Sequence, residues 1–152
     1  MTETGLLGIF GNHAFLQGLG QRHLMLLASG VKPVRFAPGT HLGREGEAAT
    51  TFYLIKSGRV SLDLHPPGGG AVSVQSVSPG EVVGWSWLVP PHRWRFDCRA
   101  TEPVDALAFD AQWLRDKCEQ DHELGYQLLK HLVTVIACRL TATRHQLLDG
   151  QK

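Results

Sequence analysis

The sequence predicts a mainly β domain, a sandwich or barrel of short strands, with a helix before it and a long amphipathic helix after it. Three observations carry this. Between Val31 and Phe109, short apolar runs are divided by turn signals: Pro38-Gly39, Glu45-Gly46, Ser57-Gly58, Pro66-Pro67-Gly68-Gly69-Gly70 and Pro79-Gly80. Strands about 8–12 residues apart, divided by such turns, belong to all-β architectures. Ahead of this region Phe15, Leu16, Leu19, His23, Leu26 and Leu27 recur at helical spacing, and after it Leu129, Val133, Ile136, Leu140, Thr143 and Leu147 form a heptad seam.

The elements follow in order. Residues 13–29 read as one helix, with Gly30 as its stop. Phe52-Tyr53-Leu54-Ile55 is a strand of strong β-formers. Val60, Leu62 and Leu64 alternate with Ser61, Asp63 and His65, the pattern of a strand with one buried face. Val72, Val74 and Val77 continue the sheet beyond the glycine tract, a hairpin tip. That tract lacks the Gly-Lys-Ser/Thr ending of a phosphate loop. Asp110 can cap a helix that begins at Ala111. In the last helix Leu128, Leu132 and Val135 widen the seam, enough to pack on the chain's own barrel and on a partner together.

Composition sets the outer bounds. With 152 residues, 43% of them hydrophobic and 19% charged, the chain is a globular domain and not a disordered one. Residues 1–12 read as an N-terminal extension, and 13–152 as one domain that ends in a helix over 122–148. The 15 basic and 14 acidic residues leave a net charge of +1 with no like-charge run, so nothing demands a nucleic-acid partner. Cys98, Cys118 and Cys138 are odd in number and form no Cys-x-x-Cys pair, which argues against a disulfide framework or a zinc site. The N-terminus lacks the charge and apolar core of a signal peptide, and no run of about 18 apolar residues occurs. A cytoplasmic protein without a membrane span is expected.

The order Pro38-Gly39, Glu45-Gly46-Glu47, Tyr53-Leu54-Ile55-Lys56-Ser57-Gly58-Arg59-Val60, Pro79-Gly80-Glu81, Gly84 resembles the cyclic-nucleotide-binding domains of the catabolite activator protein (Crp/Fnr-like) family. The resemblance covers roughly residues 15–148. It implies a double-stranded β-helix, or jelly-roll barrel, and a regulatory rather than catalytic role. It also implies a site: a glycine, a short helix whose N-terminal amides hold a cyclic phosphate, and a return strand carrying an arginine.

Here that cassette reads Gly84-Trp85-Ser86-Trp87, then Leu88 to Arg93-Trp94-Arg95, then Arg99-Ala100. Trp85 stands where the family carries a glutamate for the ribose hydroxyl. An indole has one N–H donor and no acceptor, so that contact is lost. The anion half can persist: Gly84, Trp85, Ser86 and Trp87 as the turn, and Arg93 or Arg95 as the cation, one of the two facing the pocket. The ligand is then a cyclic nucleotide or another small anion. The alternative is that tryptophans 85, 87 and 94 fill the pocket with hydrocarbon and leave a structural or protein-interaction module.

Other chemistry finds little support. Gly84-Trp85-Ser86-Trp87-Leu88 lacks the closing glycine of a nucleophile elbow. The eight histidines show no ligand spacing, so no metal is expected. No nucleophile–base pair can be named, and the expectation is not an enzyme. Only four residues follow Leu148, too few for a helix-turn-helix domain. DNA binding by this chain alone is therefore not expected. The expected partners are a second copy, through Leu129, Val133, Ile136 and Leu140, or another protein.

Overall fold

The computed structural model describes residues 13–149; the extension 1–12 and the last three residues lie outside the described residues. A 3-10 turn, Ala14–Leu16, and a helix α1, Gln21–Ala28, precede eight strands. These are β1 Val31–Phe36, β2 His41–Gly43, β3 Thr51–Ser57, β4 Val60–Leu64, β5 Val72–Val77, β6 Val82–Val83, β7 Asp97–Ala100 and β8 Val104–Asp110. Helices α2, Ala111–Gln120, and α3, His122–Asp149, close the order.

The strands form two four-stranded antiparallel sheets, β1-β8-β3-β6 and β2-β7-β4-β5, which face each other as a jelly roll. The central strands of the first sheet, β3 and β8, are buried on both faces. Along β3, Phe52 and Leu54 point to the helices, while Tyr53 and Ile55 point into the barrel. Along β8, Leu107 and Phe109 join the helical side, and Val104, Ala106 and Ala108 line the barrel. A strand buried on both faces must be apolar throughout, which explains the unbroken run Phe52-Tyr53-Leu54-Ile55.

The turn signals act as expected. Gly39, Gly46, Gly58, Gly80 and Gly84 all have positive φ. At Gly58 the requirement is doubled, because a Cβ would lie 2.2 Å from the Pro103 carbonyl oxygen. Asp110 caps α2 by accepting the Trp113 N–H at 2.8 Å. Gly30 follows α1, and the Trp113 indole packs on it, 2.5 Å from where a Cβ would stand.

Two expectations are corrected. Residues 13–29 are not one helix: the 3-10 turn and α1 are separated at Gly18, whose φ of +91° no right-handed helix accommodates. Nor does β4 have a solvent-facing side. Ser61 and Asp63 are 5% and 3% exposed, as buried as their apolar neighbours. They are satisfied laterally: the Ser61 hydroxyl donates to Asp63 at 2.5 Å, and the Arg99 Nε donates to the same carboxylate at 3.2 Å. Hydrogen bonding of this kind is what allows a carboxylate to sit in a protein interior.

His13 ties the N-terminal turn to the barrel. It is buried; its Nε2 donates to the Ile55 carbonyl at 3.0 Å, and its Nδ1 accepts the Phe15 N–H at 3.2 Å. Only the neutral imidazole satisfies both. Burial pulls its pKa below the ordinary 6.5, against the upward pull of the Ile55 carbonyl. The folded state therefore binds this proton less readily than the unfolded chain. The contribution is fully present above the ordinary pKa and is lost as pH falls from there through the folded value. Urea unfolding between pH 7.5 and 5 should show a loss of stability at the acid end, and His13→Gln should remove part of that slope; an unchanged slope would refute the assignment.

Candidate functional site

The sheet that carries β6 delivers Gly84 to the edge of the barrel. Gly84 has φ +95° and caps a 3-10 turn, Trp85–Trp87, from which a loop returns through residues 88–96 to β7. Loop and barrel rim are joined by backbone: the Trp94 N–H donates to the Glu47 carbonyl, the Gly46 N–H to the Trp94 carbonyl, and the Ala49 N–H to the His92 carbonyl. Ala48 and Arg93 form an isolated bridge. The loop is thus extended where it passes the rim, and alternate side chains face in and out.

The inward residue is Trp94. It is 6% exposed, lies in the barrel core with Leu42, Tyr53, Leu62, Val83 and Cys98, and stacks on Tyr53 with ring centroids 6.4 Å apart. Two glycines make room for it. A Cβ on Gly43 would stand 2.1 Å from the indole, and one on Gly84 2.8 Å from it. The close approach that Gly84 permits is to the chain's own side chain.

Both arginines point outward, against the expectation that one faces the pocket. Residues two apart on extended backbone share a face, so with Trp94 inside both flanking residues are outside. Arg93 donates to the Gly46 carbonyl at 2.8 Å, and the Arg95 guanidinium lies 5.2 Å over the half-buried Trp85 ring. Ser86 is buried at 3% exposure. Trp87 is fully buried on the helical side, beside Phe52, and its Nε1–H meets no partner among the described residues. Its carbonyl accepts from Arg115 at 2.6 Å, which fastens the turn to α2. The three tryptophans therefore act apart: Trp94 in the barrel, Trp87 under the helices, Trp85 at the surface.

Two other groups can be placed. Cys98 is buried behind Trp94, and burial pushes its thiol up to about 12, so it carries no reactive thiolate. His23, Asp121 and Glu123 converge, but the Arg22 guanidinium is already among them, 2.7 Å from Asp121 and 3.4 Å from Glu123.

A second concavity lies outside the barrel. A groove of about 530 Å³ runs between α3 and the β5–β6 edge, closed at one end by Ala14 and Phe15. Along α3 the residues toward the barrel are Leu128, Leu132, Val135, Arg139, Ala142 and Gln146, spaced four, three, four, three and four. Leu128 and Leu132 are core; the stripe turns polar at Arg139, where the groove opens. Sequence reasoning missed Arg139. Its signal is a lone cation on an apolar stripe, masked by the more regular apolar seam one residue further along.

That outer seam is uncovered. Leu129, Val133, Leu140 and Leu147 are 47%, 55%, 59% and 65% exposed, and Ile136 is half-buried.

A jelly roll, a glycine-led turn at its rim and a long C-terminal helix define a class of regulatory domain. Residues 33–121 match the profile of the Cyclic nucleotide-binding domain. The chain belongs to that family, whose domains are regulatory and not catalytic. It is 26% identical over 141 residues to a CRP-like cAMP-activated global transcriptional regulator of Mycobacterium tuberculosis, a match covering 93% of this chain and 61% of that protein. It is 37% identical over 101 residues to the acetyltransferase Pat of Mycolicibacterium smegmatis, covering 63% of this chain and 30% of the enzyme. The chain thus spans at most about three-fifths of these relatives. Among solved structures, a cyclic nucleotide-binding protein of Geobacter metallireducens superposes with a TM-score of 0.78 at 25% identity, covering 92% of this chain and 98% of that one. Among the described residues no helix is long and apolar enough to cross a membrane.

Trp94 is the largest side chain committed to the barrel interior, and its removal tests that role. Trp94→Ala should lower unfolding stability by about 3–5 kcal/mol, the usual cost of an aromatic truncation that leaves a cavity. A loss under about 1 kcal/mol in urea denaturation would mean that the indole is not a core element.

Proposed function

We propose that this chain is a regulatory module that has closed the barrel site of its family and works through contacts of α3, as a homodimer or with a protein partner. The observation that carries the reading is Trp94, inward at the rim with glycines opposite it. A cyclic nucleotide needs an acceptor for its ribose hydroxyl and a cation for its phosphate. Trp85 supplies no acceptor, and Arg93 and Arg95 lie outside. The α3 seam supports the second half. A row of leucines and valines about half exposed on one helix face is a surface that a partner of similar face would cover.

A second reading keeps a ligand at the cassette, held on its outer face. The Arg95 guanidinium over the Trp85 ring favours it, because an exposed cation beside an aromatic plane suits a flat anion. Arg93, exposed beside it, would then flank that site.

Ile136→Lys should convert a dimer to a monomer in sedimentation velocity, with the circular dichroism spectrum retained. A wild-type monomer, or a dimer that survives the substitution, would overturn a homodimer through this seam. A thermal-shift titration separates the two readings of the cassette. A bound ligand at about 100 times its Kd stabilises by roughly 2.7 kcal/mol, which at this chain length raises Tm by about 5–10 °C. Cyclic AMP and cyclic GMP should give no shift. A shift of that size, lost in Arg95→Ala, would refute the ligand-free reading and support the outer-face site.

A further inference from the structure

We propose that the groove between α3 and the β5–β6 edge binds a small aliphatic carboxylic acid, its carboxylate paired with Arg139 and its chain lying along Phe15, Val82, Val135 and Ala142. This is a site apart from the cassette, none of whose residues lines the groove.

The argument begins with the cation. Arg139 stands on the inner stripe of α3, where the preceding members are leucine and valine. Its guanidinium offers five donors. Among the described residues one hydrogen bond of it is present, to the Val82 carbonyl, and no carboxylate lies within ion-pair distance. Burial pulls its pKa below the ordinary arginine value, and the attractions of Cys98 and Glu81 do not offset that. A half-buried guanidinium with no carboxylate in ion-pair distance is a costly way to fill an inner-stripe position, and a hydrocarbon side chain would serve the packing better. What the cation adds is a planar fork that matches a carboxylate in bidentate geometry.

The surroundings narrow the ligand further. The groove volume is within the range of small-molecule sites, about 300–1,000 Å³. Its other polar groups are largely committed. Gln75 donates to the Arg139 carbonyl at 2.6 Å and to the Thr143 hydroxyl at 2.8 Å. His131 Nδ1 bonds the Phe15 carbonyl, and Gln146 donates to the Val74 carbonyl. Glu81 also lines the groove, with one carboxylate oxygen held by the Ser78 N–H. One available cation beside a carboxylate suits a monoanion and disfavours phosphomonoesters and other multiply charged ligands. The ligand is therefore one charge on an apolar body.

The test uses decanoate as probe, with decanol as its uncharged counterpart, on the full chain. Calorimetry should show one saturable decanoate site per chain. Arg139→Gln, which can still donate to the Val82 carbonyl, should weaken it about ten- to a hundredfold, the usual worth of a charge-assisted pair. Decanol should bind more weakly than decanoate and be indifferent to the substitution. Cys138 is exposed and lines the groove. Its alkylation should slow when decanoate is present, in the wild type and not in Arg139→Gln. Ala142→Phe fills the groove from an exposed helix position and should abolish binding with Tm retained, which covers the case of an Arg139 variant that does not fold. No saturable decanoate binding, equal binding by Arg139→Gln, or unprotected Cys138 would each overturn the site.

Discussion

β3 and β8 are covered on both faces, and the rest of the architecture follows from that constraint. A sheet with water on one side can alternate apolar and polar residues; one enclosed on both sides cannot, and its backbone must find every partner within the ladder. β8 pairs with β1 on one side and β3 on the other, and β3 pairs with β6. The two faces then build two cores that share one layer of backbone. One lies against α1, α2 and the start of α3, and the other fills the jelly roll. A change in either core reaches the other through a strand that has no free face on which to relax.

Within the barrel core, the cassette contributes packing. The Trp94 indole, the Tyr53 ring and the two glycines that make room for the indole meet there. The backbone plan is that of a jelly roll throughout: Gly84 turns at positive φ, and the return strand pairs with β2 and β4. The side chain that the extended loop turns inward is Trp94. A fold and a family do not by themselves set the chemistry of a pocket, which is why function has to be argued from the site.

Much of the fold was legible because it rests on local chemistry. Five turn glycines, the Asp110 cap and the heptad of α3 each need only a few neighbouring residues to be read. The failures have physical causes of their own. The N-terminal periodicity concealed the break at Gly18, because spacing does not register a positive φ. β4 looked like a strand with one wet face because Ser61 and Asp63 are polar, and their lateral partners, Ser73 and Arg99, lie 12 and 36 residues further along the chain. At the cassette, the arginines drew attention as the chemically expected groups. The inward position belonged to the residue between them, which only the pairing of the loop with residues 46–49 reveals. Arg139 escaped because the outer seam offers a more regular apolar pattern than the inner stripe one residue before it.

Those two rows on α3 have a mechanical consequence. Successive residues on a helix are about 100° apart, so the row against the barrel and the row facing outward are fixed in angle on one rigid rod. The helix cannot roll to improve one contact without turning the other by the same amount. Anything that entered between α3 and the barrel at Arg139 would therefore act as a wedge whose far end is the outer seam, and an assembly built on that seam would take its geometry from what fills the groove.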